Sequence, residues 1–574
     1  MNSFKLYAED CCAANFVVAF FSAYWIHQEG MTSAVMDQKS RSEKLHNFNL
    51  QNVFYHKNGF IIIVLFAMIV HLAISCGSYS GFGEKPIYGD FEAQRHWMEI
   101  TVNLPIEQWY VNGTDNDLNY WGLDYPPLTA YHSYLLGKMY AVGVEIYFYD
   151  TQFISETINK SWVELYTSRG IENLQHKFFM RLSVLFTMWL LYYLIFYYYL
   201  THLSGLKYQN YYAAIIILYP GLISVDSGHF QYNHIALGLF LGAYVLFVNV
   251  HLSFGSLLFV LAVHFKQMEL YHALPFALFL LSPAIRLLIF RALSIGFVIA
   301  LSVISLWWPL RHTDGFPLTI LHRIFPFYRG IFEDKVANFW CFMNVIIKLK
   351  QRFSTEFLIQ TRQLFLLLLS VTLLYFVFEL FFVLCIISNI IANAFSTFLV
   401  FLSHVPLLLS IARYQNSNNL KQGLFLSALS FFLFSYHVHE KSILFAAVPA
   451  LLFWPRHRSL VSWFLVISSI SLYPLCVQDG NSLHLALFLF YYVLIIPAVP
   501  KLYSWKGAVI HSSCITGFLL CFLMLCLSPP RRFPHLFPLL IAMYSFAHFI
   551  LFFTYVNLRL LNENFMMLFK QKQH

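Results

Sequence analysis

Residues 59–77 read GFIIIVLFAMIVHLAISCG, a run without a single Asp, Glu, Lys or Arg. About 20 such residues, coiled as a helix, cross the roughly 30 Å hydrocarbon core of a bilayer. Comparable runs recur nearly to the end of the chain, centred near residues 188, 216, 241, 260, 277, 298, 343, 374, 403, 429, 448, 468, 490, 517 and 545. Composition agrees: 59% of the 574 residues are hydrophobic, 19% aromatic and only 11% charged. A soluble domain carries about 25% charged residues, so this chain cannot cover its surface in water. The expected fold class is an all-α polytopic membrane protein, a transmembrane helical bundle whose surrounding partner is the lipid bilayer.

The formal net charge of +8 would suggest nucleic acid in a soluble protein. In a chain of membrane spans, Lys and Arg instead collect in cytosolic connections, and nucleic acid is not an expected partner. Lys39, Arg41, Lys44 and Lys57 precede the first span, so residues 1–57 read as a cytosolic segment. Alternating the connections from there puts Lys348, Lys350, Arg352, Arg413, Lys421, Arg456, Arg458, Lys501 and Lys506 on the cytosolic side; Arg531 and Arg532 run against the pattern. The long polar loop 78–175 falls on the opposite, lumenal side, and holds two glycosylation sequons, at Asn112 and Asn159. So do the polar clusters 88–101, 119–128, 224–234, 264–271, 322–340 and 435–442. The nine cysteines lack metal-ligand spacing, implying neither a metal nor a disulfide framework.

Four of those clusters carry chemistry. Asp90 follows Tyr88-Gly89 just beyond the first span, and a carboxylate on such an elbow can take a proton from a sugar hydroxyl. The same residue also suits an N-cap. Glu92, Arg95, His96 and Glu99 fall on one side of the helix that would follow. In NYWGLDYPPL (119–128), Trp121 and Tyr125 flank Asp124; aromatics stack on the apolar faces of sugars while a carboxylate accepts from hydroxyls. Arg323, Arg329 and Lys335 in the segment 322–338 suit a phosphate. His439 and Lys441, in His437-Val438-His439-Glu440-Lys441 between two apolar runs, do so as well, and charge in that position marks a functional site. GHFQYN (228–233) and HFKQ (264–267) are weaker clusters of the same kind. No P-loop or dinucleotide fingerprint is present, which points away from a nucleotide-sugar donor.

The blocks YGDFEAQRHWMEIT, YWGLDYPPLTAYHS, GHFQYNHIALGL, HFKQMELY, RIFPFYRGIFEDKVANFWC and FSYHVHEKSIL span most of residues 80–445. In that order, they resemble the dolichyl-phosphate-glucose glucosyltransferases of the asparagine-glycosylation pathway, within the GT-C superfamily. GIFEDKVANFWC and GDFEAQRHWMEIT are similar to the branch that adds the first glucose, by an α-1,3 link; the alternatives are the branch adding the second glucose, or a lipid or sugar transporter. The resemblance implies a GT-C-like bundle of the endoplasmic-reticulum membrane. Its parts would be a transmembrane catalytic module (58–445, with the lumenal loop 78–175) and C-terminal helices with a cytosolic tail (446–574). It implies dolichyl phosphate glucose as donor, a dolichyl-diphosphate-linked oligosaccharide as acceptor, and no cofactor or metal. Asp90 maps onto the family's catalytic Asp, acting as general base in an inverting transfer. His439, Lys441 and Arg329 would meet the donor phosphate, and Asp124, Trp121, Tyr125, Glu92, Arg95 and His96 would contact substrate. The final Lys570-Gln571-Lys572-Gln573-His574 is similar to a dilysine retrieval signal.

Overall fold

The computed structural model describes residues 59–142, 160–203, 209–280, 289–325, 335–348, 400, 403–404, 417–435, 438–481 and 483–571. Arg329, Asn159, Lys572, residues 1–57 and the apolar run near 374 lie outside them. Among the described residues, every regular element is a helix. Seven helical segments are long and apolar enough to cross a membrane, as a polytopic membrane protein requires.

The first is α1, Gly59–Cys76, the first apolar run of the sequence long enough to span. The loop beyond it builds two helices of its own, α2 (Asp90–Asn103) and α3 (Pro127–Val142). They cross so closely that a Cβ on Gly137 would sit 2.4 Å from Val102. The bundle resumes with α4 (Leu174–His202), whose start is capped by the Asn173 side chain accepting from the Gln175 amide. Next come α5 (Gln209–Phe230), α6 (Asn233–Val248), α7 (Leu252–Phe265) and α8 (Ile289–Leu310). After them stand α9 (Ser417–Phe434), α10 (Leu444–Phe453), α11 (Arg458–Gln478), α12 (Leu483–Ala498), α13 (Trp505–Cys526) and α14 (Leu536–Gln571).

Burial separates two classes of apolar helix. Segment α5 is enclosed from Tyr212 to Phe230, whereas α8 exposes Phe290, Leu293, Phe297, Leu301 and Ile304 along its length. Apolar surface left in water costs about 25 cal/mol per Å², so a face of that kind belongs against lipid. Inside, polar groups pair because hydrocarbon offers no substitute partner. The His71 ring bridges Ser227 Oγ and Tyr193 OH, each at 2.6 Å, and Asp226 accepts from the His234 amide and ring.

The C-terminal ends of α1, α5, α7 and α11 and the N-terminal end of α10 gather at one end of the bundle, with the start of α2 packed against the end of α5. That junction holds the clusters 88–101, 224–234 and 264–271, and residues 438–442 of the last.

Candidate active site

The site begins with how α2 starts. Gly89 occupies the cap position, and Asp90 is the first helical residue. Its amide donates to Ser80 Oγ at 3.0 Å, so Ser80 does the capping and the Asp90 carboxylate is released for other partners. Glycine is needed at 89 for space: a Cβ there would lie 2.3 Å from Ser80 Oγ. The left-handed backbone belongs instead to Tyr88, at φ 62°. Ser80 also donates its amide to the His229 carbonyl at 3.1 Å, fastening the elbow to the end of α5.

Three donors converge on one oxygen of Asp90. Lys441 Nζ lies 2.5 Å from Oδ2, His229 Nε2 3.1 Å from it, and Gln231 Nε2 donates to the same atom. Oδ1 takes no hydrogen bond among the described residues, and about a fifth of the side chain stays accessible (22%). The carboxylate is tethered by one oxygen and presents the other. Burial pushes its pKa up, but the Lys441 ammonium and the His229 ring outweigh that and hold it well below the usual carboxylate range.

Each donor is itself delivered by a specific turn. His229 and Gln231 flank Phe230, whose φ of 89° turns the backbone so that the residues on either side both reach Asp90. The Phe230 ring is buried edge-on against Phe91. Strained backbone of this sort clusters at functional sites. The Arg181 guanidinium secures the same turn by donating to the carbonyls of Ser227, Gly228 and Ser78. Lys441 sits in a single helical turn, Glu440–Ile443, that leads into the buried α10, with His439 at its N-cap position. Lys441 thus pairs across the bundle with Asp90.

A second layer supports the first. His229 Nδ1 lies 2.7 Å from Asp479 Oδ2. Lys266 Nζ donates to Gln231 Oε1 at 3.0 Å and to Asn233 Oδ1 at 2.5 Å, and sits 5.0 Å from the centre of the Tyr125 ring. Burial, then the neighbouring Lys441 ammonium, bring Lys266 down to about 8, against the pull of Asp226, Asp90 and Asp124.

The aromatic loop borders this centre. Trp121 takes φ 51°, donates its indole N–H to the Ile87 carbonyl at 2.5 Å and accepts from Trp97 at 2.9 Å. Asp124 and Tyr125 follow, both partly exposed. Arg323 reaches this loop, where its guanidinium holds the carbonyls of Gly122 (2.9 Å) and Leu123 (3.3 Å).

Glu92, Arg95 and His96 share one helical side, as expected, but that side is closed. Arg95 is fully buried, pairing with Glu92 (2.7 Å) and Glu99 (2.6 Å) and donating to Ser168 Oγ (2.6 Å) and the Trp162 carbonyl (3.2 Å). The Tyr120 hydroxyl donates to Glu92, and His96 meets Glu99 at 3.1 Å. Burial opposes ionisation of Glu99, yet His96 and Arg95 hold it at about 2. Arg95 and Glu99 fasten residues 162–168 onto α2, and Glu92 and His96 close the same side through Arg95, Tyr120 and Glu99. Two further residues, Asp479 and Lys266, enter the site that the motifs underplayed. A lone carboxylate closing an apolar helix was the available signal for Asp479.

The ALG6, ALG8 glycosyltransferase family matches residues 61–555. A Caenorhabditis elegans protein described as probable dolichyl pyrophosphate Man9GlcNAc2 alpha-1,3-glucosyltransferase is 40% identical over 531 residues, covering 91% of this chain and 93% of its own. The Rattus norvegicus dolichyl pyrophosphate Man9GlcNAc2 alpha-1,3-glucosyltransferase is 36% identical over 534 residues, 87% of this chain and 95% of its own. A probable counterpart from Arabidopsis thaliana is 34% identical over 524 residues, 87% and 89% of the two chains.

Proposed function

The chain belongs to the ALG6, ALG8 glycosyltransferase family, and from that premise we propose that it transfers the first glucose onto a dolichyl-diphosphate-linked high-mannose oligosaccharide, forming an α-1,3 link. The donor is dolichyl phosphate β-glucose, and the address is the endoplasmic-reticulum membrane with the site facing the lumen. The observation that carries the reading is the Asp90 carboxylate, tethered through Oδ2 and open at Oδ1.

The O3 hydroxyl of the terminal mannose attacks C1 of the glucosyl phosphate from the side opposite the phosphate. As the new C1–O bond forms, Oδ1 of Asp90 accepts the hydroxyl proton. The bond from C1 to the phosphate oxygen breaks, and its electron pair leaves with dolichyl phosphate, inverting β to α. That leaving group is already a stable anion, so it requires cations nearby and no proton. Lys441 supplies one, with His439 beside it at the start of the same turn and Arg329 as a further candidate. Asp124, Trp121 and Tyr125 border Asp90 where an acceptor sugar would lie. Glu92, Arg95 and His96 support the elbow from behind.

The test is a transfer assay on purified protein in lipid. It should glucosylate the acceptor that carries no glucose, using dolichyl phosphate glucose, and leave an already monoglucosylated acceptor untouched. The opposite preference assigns the second-glucose reaction; transfer from a nucleotide-linked glucose alone overturns both.

A further inference from the structure

Asp479 is placed where elementary electrostatics disfavours it. It follows the last residue of α11, and its own amide still donates to the Leu475 carbonyl at 3.1 Å. A carboxylate at that end meets the negative pole of the helix. It is also buried, 8% exposed, where an ionised group needs a specific partner. Its position is rigid: Gly480 takes φ 74° in a helix-ending turn, and the Asn481 amide donates back to the Cys476 carbonyl at 3.2 Å. The turn is docked on the end of α1, where a Cβ on Gly77 would lie 2.2 Å from Asn481 Nδ2.

This carboxylate meets His229, whose other ring nitrogen faces the catalytic base. We infer that Asp479 and His229 form a positioning pair for Asp90. The ring acts as an imidazolium: Nδ1–H donates to Asp479, which fixes the ring plane, Nε2–H donates to Oδ2 of Asp90, and Oδ1 is held toward the acceptor hydroxyl. Lys441 and Gln231 act on the same oxygen, but both are long or flexible, and Lys441 has a second claimant in the donor phosphate. The ring locked by Asp479 is the rigid member of the three. A base displaced by about 1 Å loses about a hundredfold in rate, and carboxylates that orient a metal-ligating imidazole contribute about 10- to 100-fold, the scale adopted for this imidazole. Asp479 touches no substrate in this scheme, and its whole effect passes through His229.

This inference rests on the proposed transfer reaction. In the full-length protein, Asp479→Ala should lower kcat by about 10- to 100-fold with the KM of donor and acceptor lipid unchanged. Asp479→Asn keeps an oxygen for the Nδ1 proton and should recover part of the loss. Because Asp479 acts through His229, Asp479→Ala should cost nothing further in a His229→Ala background. An unchanged kcat in Asp479→Ala, no recovery in Asp479→Asn, or losses that multiply in the double variant would each overturn the positioning role. A wild-type protein that transfers no glucose would overturn the reaction itself, a distinguishable failure.

Discussion

Lys441 Nζ lies 2.5 Å from Oδ2 of Asp90, although the two residues are 351 positions apart in the chain. The contact joins the elbow after the first span to the turn that leads into α10. It also sets up a competition. In the proposed reaction the ammonium that neutralises Asp90 is also a cation for the donor phosphate, and a carboxylate holding it so closely is a weak proton acceptor. Seating the donor would draw Lys441 toward the phosphate and return basicity to Asp90.

That competition predicts a gain of binding on loss of a charge. Asp90→Asn should bind dolichyl phosphate glucose about fivefold or more tightly, the lower end of ordinary coupling between sites. Part of any gain is simple relief of repulsion, so the same substitution belongs in a Lys441→Met background, where the gain should shrink. Equal gains in both backgrounds, by titration of donor lipid, would show that Lys441 is not shared.

Catalysis should respond in the opposite direction. Asp90→Asn keeps the shape of the side chain and removes the proton acceptor, so turnover should drop at least about a hundredfold. Loss of the charge also weakens the pairing with Lys441 and His229, so turnover is compared per folded molecule and the unfolding temperature should fall. Retention of most activity would move the base elsewhere, with Asp124 next in line.

The pH profile should report Lys266. Its value lies near 8, so the charged form that holds Gln231 and Asn233 is present below that pH and lost as pH rises through it. Turnover should therefore bend downward above about pH 8. Lys266→Met has no proton to lose there; its profile should be flat across that range at a lower plateau. A bend that persists in Lys266→Met assigns the alkaline limb to another group.

Arg95 should behave as a structural residue. Removing one partner of a buried ion pair strands the others, at about 3–5 kcal/mol. Arg95→Met should thus show a clearly lowered unfolding temperature, or fail to accumulate, while folded molecules keep the parent KM for both lipids. Normal stability with a raised KM would instead restore a substrate contact.

Much of this protein was legible in the sequence because its signals are local. A run such as residues 59–77 declares a span by itself, since the bilayer asks only for length and apolar character. The elbow at Asp90, the aromatic loop and the His439–Lys441 turn stood out as polar clusters beside apolar runs for the same reason. The sequence also established that Glu92, Arg95 and His96 share a helical face. The resemblance made them substrate contacts, but periodicity groups side chains without naming what covers them. Tertiary structure alone decided that Arg95 is sealed under residues 162–168, where it donates to the Trp162 carbonyl and Ser168 Oγ. It alone brought His229, Lys441 and Gln231 to one oxygen of Asp90, and placed Asp479 behind His229. The reason is physical: hydrogen bonding and burial are properties of pairs, and these pairs join segments tens to hundreds of residues apart. Asp479 is one carboxylate at the end of an apolar helix until the bundle closes and gives it a partner.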